Sequence, residues 1–95
     1  MGYVLSAPAE EDYLGIYMEG LLQFGPRQAD AYIARLDRVS DLIGENPHLG
    51  SVRPEIAGAP RIHATGSHIV LWEVEPDGTA FILRIRHHRE DWLAD

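Results

Sequence analysis

At 95 residues the chain has the size of one small domain, expected to span 1–95, because domains run to roughly 100–200 residues. A hydrophobic share of 45% with 24% charged residues excludes a disordered segment, and the absence of cysteine excludes disulfides, thiolate metal sites and Cys nucleophiles. The net charge of −7 argues against direct sequence-specific nucleic-acid binding driven by counterion release, and no apolar run approaches the roughly 20 residues of a membrane span.

Tyr3-Val4-Leu5 is a short β-prone run. Ser6 stands at an N-cap position, Pro8 suits a first helical turn, and Glu10, Glu11 and Asp12 complement the positive helix end. Ala9, Tyr13, Ile16, Tyr17, Leu21 and Phe24 then recur at helical spacing. Leu14, Met18 and Leu22 add a second stripe, which makes the apolar arc wider than the ~100° that one core-facing side requires. Gly20 inside this pattern permits close approach of another backbone. Gly25-Pro26 breaks the helix and starts a second, whose stripe is Ala29, Tyr32, Ile33, Leu36, Val39, Leu42 and Ile43. Gly44 and Pro47 supply its stop, so the two helices form an antiparallel hairpin.

Residues 46–60, with Pro47, Pro54 and Pro60, read as an irregular connection. Three strands are predicted after it: Arg61–Ala64, His68–Val74 and Ala80–Arg86. The last alternates, with Phe81, Leu83 and Ile85 on one face and Ile82, Arg84 and Arg86 on the other. Thr65-Gly66-Ser67 and Pro76-Asp77-Gly78 carry hairpin-turn chemistry, which makes the three strands antiparallel neighbours. The expected class is α+β, with order β-α-α-β-β-β and the helical hairpin packed on a small, mostly antiparallel sheet.

No serine sits in a nucleophile-elbow context. Five histidines raise a metal site, with His63 and His68 facing each other across a turn, but no HExxH-type spacing occurs and His87 and His88 point to opposite faces if the strand continues. No metal and no cofactor are therefore expected. The charge is uneven: residues 1–23 hold four carboxylates and no base, whereas residues 84–89 hold Arg84, Arg86, Arg89, His87 and His88 and no acid. This cluster reads either as an anion or protein contact, with His87 available for acid–base work, or as arginines paired on a solvated sheet face with Glu73, Glu75 or Asp91. The Leu14/Met18/Leu22 stripe likewise reads either as core or as a docking face for a partner helix.

Tyr3-x-Leu5, Ala9-x-x-Asp12-x-x-x-Ile16-Tyr17, Phe24-Gly25-x-x-x-Ala29-x-x-Tyr32, Leu36, Asn46-Pro47-x-x-Gly50, Arg61, His68-Ile69-Val70-Leu71-Trp72 and Arg84-Ile85-Arg86-His87-x-Arg89-x-Asp91 follow one another in order through nearly the whole chain. This series resembles the ParE branch of the RelE/ParE toxin superfamily. The resemblance implies a cytoplasmic bacterial toxin of a type II toxin–antitoxin system, a non-enzymatic inhibitor of DNA gyrase neutralised by a co-encoded ParD-like antitoxin in a hetero-oligomer. On that reading Arg61, Arg84, Arg86, His87, Arg89 and Trp92 form the target-inhibition patch, and the antitoxin covers Leu14, Met18, Leu21 and Leu22. No membrane partner is implied. RelE-like members of the same superfamily are instead ribosome-dependent mRNA endonucleases, and Arg61 and His87 stand at positions resembling catalytic residues of those enzymes. The chain has no lysine and no tyrosine after Tyr32, which favours the inhibitor. A third reading keeps the antitoxin as partner and drops the toxicity, leaving a degenerate toxin that serves as corepressor.

Overall fold

The computed structural model describes residues 2–88; Arg89 and Trp92 of the expected patch, and Asp91 as an expected arginine partner, lie outside the described residues. Strand β1 (Tyr3–Leu5) leads into helix α1 (Ala7–Phe24). Ser6 is the N-cap: its Oγ accepts from the Ala9 amide at 3.1 Å and donates to the Leu83 carbonyl at 2.8 Å, so one hydroxyl starts the helix and ties it to the sheet. Helix α2 (Pro26–Glu45) follows after the single residue Gly25, whose φ of 86° lies where an L side chain would be strained. Where the hairpin arms meet, a Cβ built on Gly20 would lie 3.3 Å from the Ala29 Cβ, which is the close approach expected of this glycine. The stop of α2 is Asn46, whose amide donates to the carbonyls of Leu42 and Ile43; Gly44 is still helical and lies buried against Gly2 and Tyr3.

The four remaining strands are β2 (Ser51–Val52), β3 (Arg61–Thr65), β4 (His68–Val74) and β5 (Ala80–His87). The sheet order is β1-β5-β4-β3-β2. Neighbours from β2 to β5 run antiparallel, whereas β1 pairs with β5 in parallel. Two features depart from the sequence reading. The connection at 46–60 contains the short edge strand β2, and its Ile56 packs on Ile69 and Leu71 to cover the sheet face away from the helices. The alternation in β5 is also broken: Leu71 faces Arg84 and Trp72 faces Ile82, so Leu83 is an extra residue, a β-bulge. Ile82 and Ile85 therefore share the helix-side core instead of lying on opposite faces.

The core lies between α2 and the sheet, where Leu36 and Ile43 meet Val70, Trp72, Ala80, Ile82 and Ile85. In α1 only Ala9 is fully buried. Phe24, which the periodicity places with the core stripe, is 64% exposed because α1 outruns the sheet beneath it. The buried Ser40 hydroxyl is paired with the Tyr13 phenol at 2.8 Å. Burial pushes this phenol from its ordinary value of 10.0 up to about 12, with the Ser40 bond opposing and the Asp37 carboxylate adding to the rise. A raised folded-state value means that the neutral phenol's contribution is complete below pH 10.0 and is lost as pH rises through about 12. The expected result for Tyr13→Phe is a loss of about 1–3 kcal/mol near neutrality, from the stranded Ser40 hydroxyl. The same variant shows a shallower fall in urea midpoint between about pH 10 and pH 12 than the wild type, because the titrating group is gone.

Candidate functional site

The structure separates the basic residues that the sequence groups together. Arg61 opens β3 opposite Trp72, and its Nη1 donates to the carbonyls of His48 at 2.9 Å and Gly50 at 3.4 Å. It thereby clamps the α2–β2 connection, next to the Trp72 Nε1 that donates to the Pro47 carbonyl at 2.8 Å. His87 lies opposite His68, four residues away along β4. That is about 13 Å along the strand plus about 9–10 Å across two interstrand spacings. Arg61 and His87, the pair that a nucleolytic site would use, are thus held at different ends of the sheet.

Arg84 is also bound within the fold. Its Nε and Nη2 donate to the two oxygens of Asp12 at 2.8 and 3.0 Å, and the Ile85 amide donates to the same carboxylate at 2.9 Å. Among the described residues the carboxylate that Arg84 meets is this one on the helix, and not Glu73 or Glu75; Asp91 lies outside the described residues. The cause is topological: β1 ends opposite Ile82, so beyond it the β5 edge is met by the first turns of α1, and Asp12 and Ser6 supply the groups that a longer β1 would have supplied. Arg86 lies opposite Ile69, on the sheet face away from the helices, whereas His87 shares the helix-side face with Val70 and Ile85 by strand parity.

Histidines gather at the end of β4 and β5. The His68 Nδ1 and the Tyr32 hydroxyl are 2.6 Å apart, the His68 and His87 rings meet edge-on at 5.3 Å, and the His88 ring stacks on His87 at 4.9 Å. The last pair stacks because the strand ends at His87, which removes the alternation that would separate the two rings. His63 lies opposite Val70, so the expected cross-turn pairing with His68 does not form. Among the described residues no group of three His, Asp or Glu side chains is placed to hold a metal ion. Tyr32 and His68 line a cavity of about 390 Å³ against Gly20 and Ala29; their pairing is not legible in the sequence, since only the fold brings α2 to this sheet end.

The second candidate surface is the outward side of α1. Leu14, Met18 and Leu22 are 62%, 53% and 87% exposed, and Leu21 is half-buried. The second stripe is therefore surface. Large, mostly exposed side chains at i, i+4 and i+8 form a continuous apolar ridge of the kind that helices and extended segments dock against. Among the described residues no helix is long and apolar enough to cross a membrane.

Comparison with known proteins agrees with this geometry. The fold matches a structure of the chromosomal ParDE TA system from P. aeruginosa with a TM-score of 0.77 and 19% identity, covering 92% of this chain and 95% of that one. The chain is also similar to Toxin ParE1 of Mycobacterium tuberculosis, at 30% identity over 89 residues, 94% of this chain and 91% of the relative. Residues 3–92 match the family model described as the ParE toxin of the type II toxin–antitoxin system parDE, and the chain belongs to the ParE toxin family.

Proposed function

We propose that this chain is the toxin of a type II toxin–antitoxin pair that acts in the cytoplasm by binding DNA gyrase without turnover, and that a ParD-like antitoxin holds it inactive by covering Leu14, Met18, Leu21 and Leu22. Family membership supports the toxin–antitoxin assignment, and the exposed α1 ridge supports a protein partner. The observation that carries the non-enzymatic reading is the distance between Arg61 and His87, each occupied within its own part of the fold. General acid–base work on RNA requires such groups within hydrogen-bond reach of one phosphate. The excess of carboxylates also opposes docking on ribosomal RNA.

The purified chain is expected to inhibit gyrase supercoiling and to give no codon-linked cuts in a translating extract. Codon-linked cleavage without gyrase inhibition overturns the proposal in favour of the nuclease, and the absence of growth arrest on induction overturns it in favour of a corepressor. Within the inhibitor reading, Arg86→Ala with Arg89→Ala lowers gyrase inhibition by about 10-fold or more, since interface arginines commonly contribute over 1 kcal/mol each. Arg84 is left intact in this variant because its removal would take away two of the three bonds between Asp12 and β5, leaving that from the Ile85 amide.

A further inference from the structure

Beside the α1 ridge runs an open groove of about 510 Å³ between the first half of α1 and the middle of α2. Its walls are the apolar side chains of Leu5, Leu14 and Ile33 and the rings of Tyr13 and Tyr17. Two carboxylates, Glu10 and Asp37, complete the lining, and among the described residues no arginine or histidine lines it. We infer that this groove takes an arginine or lysine side chain from the antitoxin segment that lies along the ridge, so that the docking segment is amphipathic and basic. The inference rests on the toxin–antitoxin reading above and adds to it the charge of the partner.

Three observations fix the sign. First, a base with an apolar stem matches the lining in both parts: the stem packs on Leu5, Leu14 and Ile33, while the head meets tyrosine faces and carboxylates. Second, the α1 side of the groove has the same sign, since Glu11 is exposed beside Glu10 and this helix holds no base at all. Third, aspartates of α2 act on two phenols beside the groove wall. The Tyr17 hydroxyl donates to Asp30 at 2.7 Å and is held above its ordinary value by that bond, and Tyr3 is raised by burial, then by Asp41 and Asp37. An acidic segment laid on the same ridge would bring carboxylates against Glu10 and Asp37 and be repelled.

The test uses the full chain and two synthetic amphipathic helical peptides with one shared leucine pattern, flanked by arginine in one and by glutamate in the other. Fluorescence anisotropy is expected to show about 10-fold tighter binding of the arginine peptide at low salt, narrowing as salt is added. In the E10Q/D37N variant the preference falls to about 3-fold or less. Equal binding, a preference for the glutamate peptide, or a preference unchanged in E10Q/D37N overturns the inference. Self-association of the chain that E10Q/D37N abolishes overturns it too, by making the groove a contact between copies. Co-expression of the product of the adjacent reading frame separates the two levels. Rescue of growth by a product whose affinity is unmoved by E10Q/D37N leaves the toxin–antitoxin reading standing and removes this one. Failure of any such product to rescue growth removes the occupant assigned here, whatever the peptides do.

Discussion

Combining Leu14→Gln, Met18→Gln and Leu22→Gln is expected to weaken antitoxin binding by about 100-fold or more while leaving the folded chain intact. The three side chains have little to lose on the fold side: Leu22 is 87% exposed, and none belongs to the buried core. Glutamine is a good helix former, so the stability change falls within about 0.5 kcal/mol. A partner that buries this ridge would lose about 1–2 kcal/mol per truncated apolar contact, which reaches the stated factor when summed. Titration calorimetry with the purified antitoxin checks the affinity, and a thermal melt checks the fold. The growth assay gives a third reading, because the triple variant remains toxic in cells whose antitoxin silences the wild type. Unchanged affinity would move the antitoxin off α1 and leave the ridge without an assigned occupant.

Trp72→Ala has the largest expected effect on the fold, a loss of about 3–5 kcal/mol. Trp72 is 0% exposed and is the largest fully buried side chain, so alanine leaves a cavity that the surrounding strands cannot close. The indole also anchors the α2–β2 connection through Pro47, and its ring end meets the position of Gly50, where an added Cβ would lie 3.0 Å away. Small domains are stable by roughly 5–15 kcal/mol, so this one substitution removes a large share of the total. Urea denaturation followed by far-UV circular dichroism measures it. Trp72→Phe, which keeps a ring but strands the Pro47 carbonyl, is expected to cost about 1–3 kcal/mol, intermediate between wild type and alanine. A loss below about 1 kcal/mol for alanine would show that the core is not centred on this residue.

What residue order determined by itself was local. The Ser6 cap, the Gly25-Pro26 break and the apolar spacing in residues 26–45 each act within a few residues, so helix limits and the hairpin could be read directly. The Gly66-Ser67 and Asp77-Gly78 turns likewise determined that three strands are antiparallel neighbours. The width of the α1 apolar arc showed that one flank exceeds what a core needs, and composition set the acidic character of the whole. Tertiary structure decided which flank stays outside, where β1 docks, and that Leu83 forms a bulge bringing Ile82 and Ile85 to one face. It also decided that Arg84 belongs to Asp12 and Arg61 to the carbonyls of His48 and Gly50, so that Arg61, Arg84, Arg86 and His87, the described members of the expected patch, are distributed over both ends and both faces of a sheet. The physical reason is separation: Ser6 meets Leu83 and Asp12 meets Arg84 across 77 and 72 residues, and pairings at that range follow from how the whole chain packs. Propensity and periodicity act over one or two turns, and they carry no information about which distant carboxylate an arginine will find.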